Sequence, residues 1–541
     1  MINNAIMIRL DKLQLIWRIL KFTGFHVALS ITIIIFFSLN QIFGILGGAK
    51  TIHNMSDFRN NISVLIFSVT VLLFTVQNIL RKVLGNEKFA LMDFFQSGYS
   101  KYNEFPTQAE ENLSKNPDIP KCLQYNHSEG FVFGRNKRIY ACKPVNMDGH
   151  IGVFGGAGSG KSSCIVIPTL RAWNGPVFAV DIKGELVQAA NRYRHNLKVF
   201  DAENPDGFGY DPFYFIDNTD NVNLAMTKIV NSLIIKDPSI KDPFWIDSTR
   251  NLLIGELLFL YHLGYSFIES MEFIQGKSQK DIIDAIVESD DTDANYFVKS
   301  FSGKTEGNTF NNIMMQLNTS IKIFATDKTI KAALSRNKII TPEDLYNGAD
   351  VFIKIPEGNL EAWSPVLNLI TSQFLKAFES RSCIDTNILM ILDEFPRLGK
   401  VEGMVNAMAT LRSRKITIAL IVQSMAQFDL IYGSDSRKTL IDNMDFLAVL
   451  SATEQSTQRY FSDIVGSYKA QDMSYSHNSN GFDFGMETRK NQSYSIGEHQ
   501  VIRPEEFKYL DEQLVMITKY GFFKLRKVPY YKAVKVKRKT R

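Results

Sequence analysis

Two stretches near the start of the chain are apolar with no acidic or basic residue: residues 25–46 (FHVALSITIIIFFSLNQIFGIL) and 62–80 (ISVLIFSVTVLLFTVQNIL). At about 22 and about 19 residues, each is long enough to cross the hydrocarbon core of a bilayer as a helix. Beyond residue 130 the pattern changes. Short apolar runs bounded by Gly, Asp or polar residues now alternate with segments of helical spacing. HIGVF (150–154), NILMIL (387–392) and ITIALIV (416–422) read as strands buried on both faces, the pattern of a parallel sheet. The run 162–170 reads as a helix leaving the first of these strands, and Pro168 is expected to end or kink it. Between 247 and 336, segments such as NLLIGELLFLYHLG and KDIIDAIVES carry apolar residues at helical spacing with few strand-like runs, which predicts an all-α insertion. Residues 466–499, rich in Ser, Asn, Gln and Tyr, read as a mobile loop or a hairpin.

Charge sets the expected orientation of the two spans. Arg9, Lys12, Arg18 and Lys21 precede the first, and Arg81, Lys82 and Lys88 follow the second. The loop between them holds Lys50 and Arg59 against Asp57. The excess of Lys and Arg at both outer flanks predicts that both ends face the cytoplasm and that a short loop lies outside. The first run is too long for a cleaved signal peptide and no small-residue cleavage site follows it. The 541 residues carry a net charge of only +5, so any basic surface is local. Four cysteines without a CxxC pair argue against a zinc ribbon, a redox motif or a disulfide scaffold.

The candidate chemistry begins directly after HIGVF. GGAGSGKS (155–162) fits G-x-x-x-x-G-K-[ST], with a strand leading in and a helix leading out. Gly155, Gly156, Ala157, Gly158, Ser159, Gly160, Lys161, Ser162 and Ser163 would wrap backbone N–H groups around phosphate oxygens. Lys161 would reach the β- and γ-phosphates of ATP, and the Ser162 hydroxyl would ligate Mg²⁺. NILMIL ends in Asp393 and Glu394, where Asp393 would hold Mg²⁺ or its water and Glu394 would polarise the attacking water. ITIALIV ends in Gln423, at the strand end that faces the ligand crevice of an open α/β sheet, so Gln423 is a candidate γ-phosphate sensor. Just before that strand lie Arg412, Arg414 and Lys415. They read either as a solvated basic turn or as the source of an arginine finger that acts across a subunit boundary.

These motifs do not stand alone. The P-loop is followed by FAVDIKGEL (178–186), DPFW (242–245), ILDEFPRLG (391–399), IVQSMAQ with IYG (421–433) and IRPEE (502–506). The string resembles the type IV secretion coupling proteins, the TraG/TraD-type conjugation ATPases, from about residue 134 to 531. The resemblance implies an α/β fold: a RecA-like P-loop motor with an inserted all-α domain and two N-terminal transmembrane helices. It also implies a homo-hexameric ring at the inner membrane that recruits DNA–relaxase complexes or effector proteins to the channel components of a type IV secretion system. Lys161 and Ser162 match the family's P-loop, Asp393 and Glu394 its Walker B pair, and Gln423 its glutamine sensor. Arg412 matches its arginine finger by spacing from Gln423. The chain has LRSRKIT where the family often has a glycine-rich stretch, which keeps Arg414 as the alternative. The loop between the spans is short for the family.

The expected organisation is therefore a cytoplasmic N-terminus (1–24), two spans (25–80), a linker (81–130), the first part of the motor (131–246), the helical insertion (247–336), the second part of the motor (337–531) and a basic tail (532–541). That tail, with Lys532, Lys535, Lys537, Arg538, Lys539 and Arg541, would either hold phosphates of DNA or lipid or serve as a solubilising extension. Two other functions fit parts of the pattern. An FtsK-like DNA translocase usually carries a C-terminal winged helix, for which this tail is short. A docking receptor whose nucleotide site only holds a ring together would lack the Walker B glutamate, and Glu394 is present.

Overall fold

The structure, a computed structural model, describes residues 117–532 apart from 126–129, 237–243, 382–384 and 478–489. The two expected spans lie outside the described residues, as do Asp242 and Pro243 of the DPFW motif and the tail beyond Lys532. Among the described residues, no helix is long and apolar enough to cross a membrane.

The strands are β1 (Gly130–Asn136), β2 (Ile139–Pro144), β3 (His150–Phe154), β4 (Val177–Asp181), β5 (Leu197–Asp201), β6 (Asp350–Lys354), β7 (Ile388–Leu392), β8 (Ile416–Val422), β9 (Met444–Val449), β10 (Ser467–His477), β11 (Lys490–Gln500), β12 (Gln513–Thr518) and β13 (Gly521–Arg526). Eleven of them form one sheet in the order β2-β1-β13-β12-β9-β3-β8-β7-β4-β6-β5. From β9 to β5 every pairing is parallel. The flank β12, β13, β1, β2 is antiparallel. The two parts form differently. Parallel neighbours need long helical crossovers, whereas β1–β2 and β12–β13 close through short turns.

The apolar runs fill both faces of the parallel part. In β7, Ile388, Met390 and Leu392 join one core while Leu389 and Ile391 join the other. In β8 the same alternation sends Ile418, Leu420 and Val422 one way and Ala419 and Ile421 the other. Each fully buried Leu or Ile contributes about 1.5–3 kcal/mol, so a polar replacement on either face would be costly. The P-loop strand β3 lies beside β8, and β8 separates it from β7. A sequence order of β3, β4, β7, β8 thus becomes a spatial order of β3, β8, β7, β4, and the chain ends needed for one site meet at a single edge.

Between β5 and β6 the described chain is helical from Tyr214 to Tyr346. The expected insertion at 247–336 lies inside this span, and its first helix, Phe244–His262, begins within the DPFW motif. Helix Val222–Leu233 packs both on Phe244–His262 and on Leu360–Ser380, the long helix of the motor, and so joins the insertion to the sheet layer. Asp291 caps helix Thr292–Val298 by accepting from Ala294 N at 3.0 Å. In the polar stretch, β10 and β11 pair as an antiparallel ribbon in register from Ser467↔Gln500 to His477↔Lys490, the pairing a hairpin there requires, while residues 478–489 lie outside the described residues.

Candidate nucleotide site

The loop 155–162 connects β3 to a helix that opens with a π turn, Lys161–Val166, and continues as α-helix Ile167–Ala172. Pro168 stands in the first turn of the α segment, where its missing N–H costs least. The wide turn absorbs the proline: Ile167 N donates five residues back, to Ser162 O. Proline therefore sets where π geometry gives way to α rather than ending the helix there. Gly158 and Gly160 have φ of 72° and 96°, left-handed values that side chains resist. A Cβ on Gly155 would come within 2.5 Å of Ser159 Oγ.

The loop docks on the strand ends beside it. Gly155 N donates to Val422 O at 3.0 Å, which holds the loop against the end of β8 and against Gln423, the next residue. Gly156 N donates to Ser451 Oγ at 3.2 Å. Ser451 follows the apolar run of β9 just as Gln423 follows that of β8. The same signal, a polar residue at a strand's C-terminal end, could have found it. Lys161 is buried, and its Nζ donates to Gly155 O at 2.6 Å and Gly156 O at 3.1 Å. Burial holds its proton affinity below the usual lysine value, against the pull of Glu394 and Asp393. Among the described residues no carboxylate lies within ion-pair distance of this ammonium, and its hydrogen bonds there go to the neutral oxygens of the loop. A phosphate is the anion such a loop accommodates.

Opposite stand the carboxylates. Asp393 and Glu394 are both buried at the end of β7. Burial, with the charges of Glu394 and Asp181 beside it, pushes Asp393 from 3.8 up to about 6. Asp181, at the end of the neighbouring strand β4, is also raised by burial, although it accepts from Val187 N at 2.8 Å. Its second oxygen has no hydrogen-bond partner among the described residues. Carboxylates that resist ionisation so close together suit a divalent cation, and Ser162 stays the candidate further ligand that the sequence names.

Glu394 has an unusual backbone for a glutamate, with φ of 48°. Left-handed backbone outside glycine costs about 1–3 kcal/mol and concentrates at functional sites. Its carboxylate is held on both sides. Lys183 Nζ lies 2.9 Å from Oε1, and Arg397 Nη1 lies 3.2 Å from Oε2. Burial pushes Glu394 up, and the bonds from Lys183 and Arg397 outweigh it, so the group sits below the ordinary glutamate value. Arg397 is itself held by Glu357 at 2.6 Å. In the sequence Lys183 and Arg397 appear only as letters of FAVDIKGEL and ILDEFPRLG. Arg397 meets Glu394 locally, three residues on in the turn Phe395–Leu398, whereas the Lys183 contact is a product of the β4–β7 pairing.

The structure thus brings Lys161, Asp393, Glu394 and Gln423 to one edge of the sheet. Arg412 and Arg414 are elsewhere. They occupy the turn Leu411–Arg414 just before β8 begins, while the P-loop touches the end of β8. The strand's length, about 3.3 Å per residue over Ile416–Val422, puts Arg412 roughly 20 Å from its own P-loop. Arg412 is 49% exposed and lies 3.4 Å from Asp445. Arg414 Nη1 donates to Arg381 O at 2.9 Å and is tied into the fold.

A family model described as "Type IV secretory system Conjugative DNA transfer" matches residues 111–541. The chain belongs to this family of type IV secretory conjugative DNA-transfer proteins. Among its curated relatives, Protein VirD4 of Agrobacterium fabrum (strain C58) is 25% identical over 430 residues, which cover 75% of this chain and 63% of that protein. Conjugal transfer protein TraG of the same strain is 22% identical over 387 residues, covering 67% of this chain and 57% of that protein. The chain thus spans under two thirds of the length of these relatives. Among solved structures, plasmid coupling protein TrwB in complex with the non-hydrolysable ATP analogue ADPNP superposes with a TM-score of 0.54 at 16% identity, over 80% of this chain and 96% of that one. At that identity the likeness shows the fold: this family member is a mixed α/β, RecA-like P-loop protein, as its motifs imply.

Proposed function

We propose that this chain is a membrane-anchored P-loop ATPase that recruits a DNA–relaxase complex or an effector protein and couples ATP hydrolysis to its transfer through a type IV secretion system. The observation that carries this reading is the convergence of Lys161, Asp393, Glu394 and Gln423 at one edge of the parallel sheet. A buried ammonium with no ion-pair partner among the described residues stands there beside Asp393 and Glu394. Family membership supports the transfer role, and the complexes of TrwB with ADP and Mg²⁺ and with nucleotide analogues support the choice of ligands.

In this mechanism the backbone N–H groups of 155–162 bind the phosphates, and Lys161 exchanges its loop carbonyls for β- and γ-phosphate oxygens. Ser162 and Asp393, the latter directly or through water, would hold magnesium, which would supply charge that offsets the phosphates. Glu394 orients and polarises the attacking water, and Gln423 reports the terminal phosphate to β8. Arg412, on the far edge of the sheet, serves a neighbouring subunit's site rather than its own, which calls for a closed ring such as a hexamer. The spans 25–46 and 62–80 anchor the ring in the inner membrane with the motor on the cytoplasmic side.

The test is transfer. Cells carrying the wild-type chain mobilise DNA–relaxase cargo, whereas cells carrying Lys161→Ala do not, although the variant protein is made and found in the membrane fraction. Equal transfer by both would contradict the reading.

A further inference from the structure

The contact between Lys183 and Glu394 is not needed to bind a nucleotide, and it engages the group that must act last. Glu394 is 4% exposed at its side chain, whereas Lys183 is 39% exposed, on the connection between β4 and helix Glu185–Tyr193. The two cations on Glu394 are not equivalent. Arg397 is fixed by a second carboxylate, Glu357, at 2.6 Å. Lys183 has Glu394 as its ion-pair partner among the described residues, at 2.9 Å. Lys354, at the end of the neighbouring strand β6, does not compete for Glu394, because it pairs with Asp201 at 2.9 Å. A half-exposed lysine with a long unbranched stem changes partners readily, while a doubly held arginine does not.

Glu394 must touch the attacking water, and that water must lie against the terminal phosphate. A cation bonded to Glu394 is then within about 9 Å of that phosphate, three hydrogen-bond lengths. The phosphate carries more charge than a single carboxylate and competes for the ammonium.

We propose that Lys183 is a latch on the hydrolytic glutamate: it engages Glu394 Oε1 until the terminal phosphate of ATP draws the ammonium away and frees that oxygen for the attacking water. This inference rests on the reading of the site as an ATPase and adds its regulation. Release of phosphate returns Lys183 to Glu394 and resets the site. Lys183 acts through Glu394, so it is a positioning residue. Its loss makes basal turnover faster, the opposite of what loss of a catalytic group does.

The experiment measures steady-state phosphate release and fluorescent-ATP binding on the purified full chain in detergent. Lys183→Met raises kcat about fivefold, the scale of one partly exposed ion pair, and leaves nucleotide affinity within about twofold. Lys183→Gln does the same, and Lys183→Arg, which keeps the ion pair, turns over at the wild-type rate. The double variant Lys183→Met/Glu394→Gln is inactive. The latch is overturned if Lys183→Met and Lys183→Gln, folded and binding ATP, turn over at or below the wild-type rate. It is also overturned if the increase survives Glu394→Gln. Failure of the underlying ATPase reading looks different: then neither wild type nor any Lys183 variant releases phosphate, and the latch falls with it.

Discussion

Asp393 is placed for function at the expense of the fold, and its replacement by asparagine measures how much. The side chain is buried, and burial together with Glu394 and Asp181 raises its pKa from 3.8 to about 6. At about 1.4 kcal/mol per pH unit, keeping Asp393 ionised costs the folded state about 3 kcal/mol. A carboxyl whose folded pKa is raised takes up protons more readily folded than unfolded. The cost is therefore absent below about pH 4, grows as pH rises to about 6, and is constant above that. Asp393→Asn removes the charge and keeps an oxygen for the bond from Glu394 N, 3.1 Å away. In magnesium-free buffer at pH 8 the variant is more stable than wild type by about 3 kcal/mol, and the gain shrinks towards zero as pH falls from 6 to 4. Urea unfolding of the purified chain followed by tryptophan fluorescence reads this, because Trp173 and Trp363 are fully buried against the sheet. Magnesium with ATP reverses the ranking at pH 8, since the ligand stabilises only the form that holds the metal. A variant no more stable than wild type at pH 8, or a gain independent of pH, would refute the reasoning.

Other outcomes follow from the same geometry. Arg194 and Asp350 form a buried two-bonded ion pair, 2.6 and 2.7 Å, and the same guanidinium donates to Trp173 O and Gly175 O. Asp350→Asn leaves that charge uncompensated and destabilises by about 3–5 kcal/mol in urea unfolding; a loss below about 1 kcal/mol would mean that the site admits water. A mixture of Arg412→Ala and Lys161→Ala subunits regains ATPase activity that neither has alone, because one mixed interface holds an intact P-loop and an intact finger. No recovery in rings of confirmed size would leave Arg412 in its contact with Asp445 alone.

Much of the site is legible in the sequence because its parts are local. The loop 155–162 needs only its glycines and Lys161, and NILMIL carries its own evidence for a strand that ends in Asp393 and Glu394. The helical stretch is legible because apolar spacing persists over many turns. What the sequence hides comes from pairing between distant segments. The Arg194–Asp350 pair spans 156 residues, and the Lys183–Glu394 pair depends on β4 lying beside β7. The antiparallel flank of β12, β13, β1 and β2 joins the two ends of the motor, and no short-range pattern marks it. The side on which Arg412 lies is likewise fixed only by the direction of β8. The π turn before Pro168 is a further case: proline announces a disturbance, and only the backbone shows which form it takes.

The central claim is that these residues hydrolyse ATP, with Glu394 as the group that activates water. The direct measurement is ATP turnover by the full chain beside Glu394→Gln, with nucleotide binding followed in parallel. Wild type turns over, and Glu394→Gln binds ATP as tightly but hydrolyses at least about a hundredfold more slowly, the loss expected when a positioned base is removed. Equal turnover by the two proteins, or binding without turnover in both, would contradict the account.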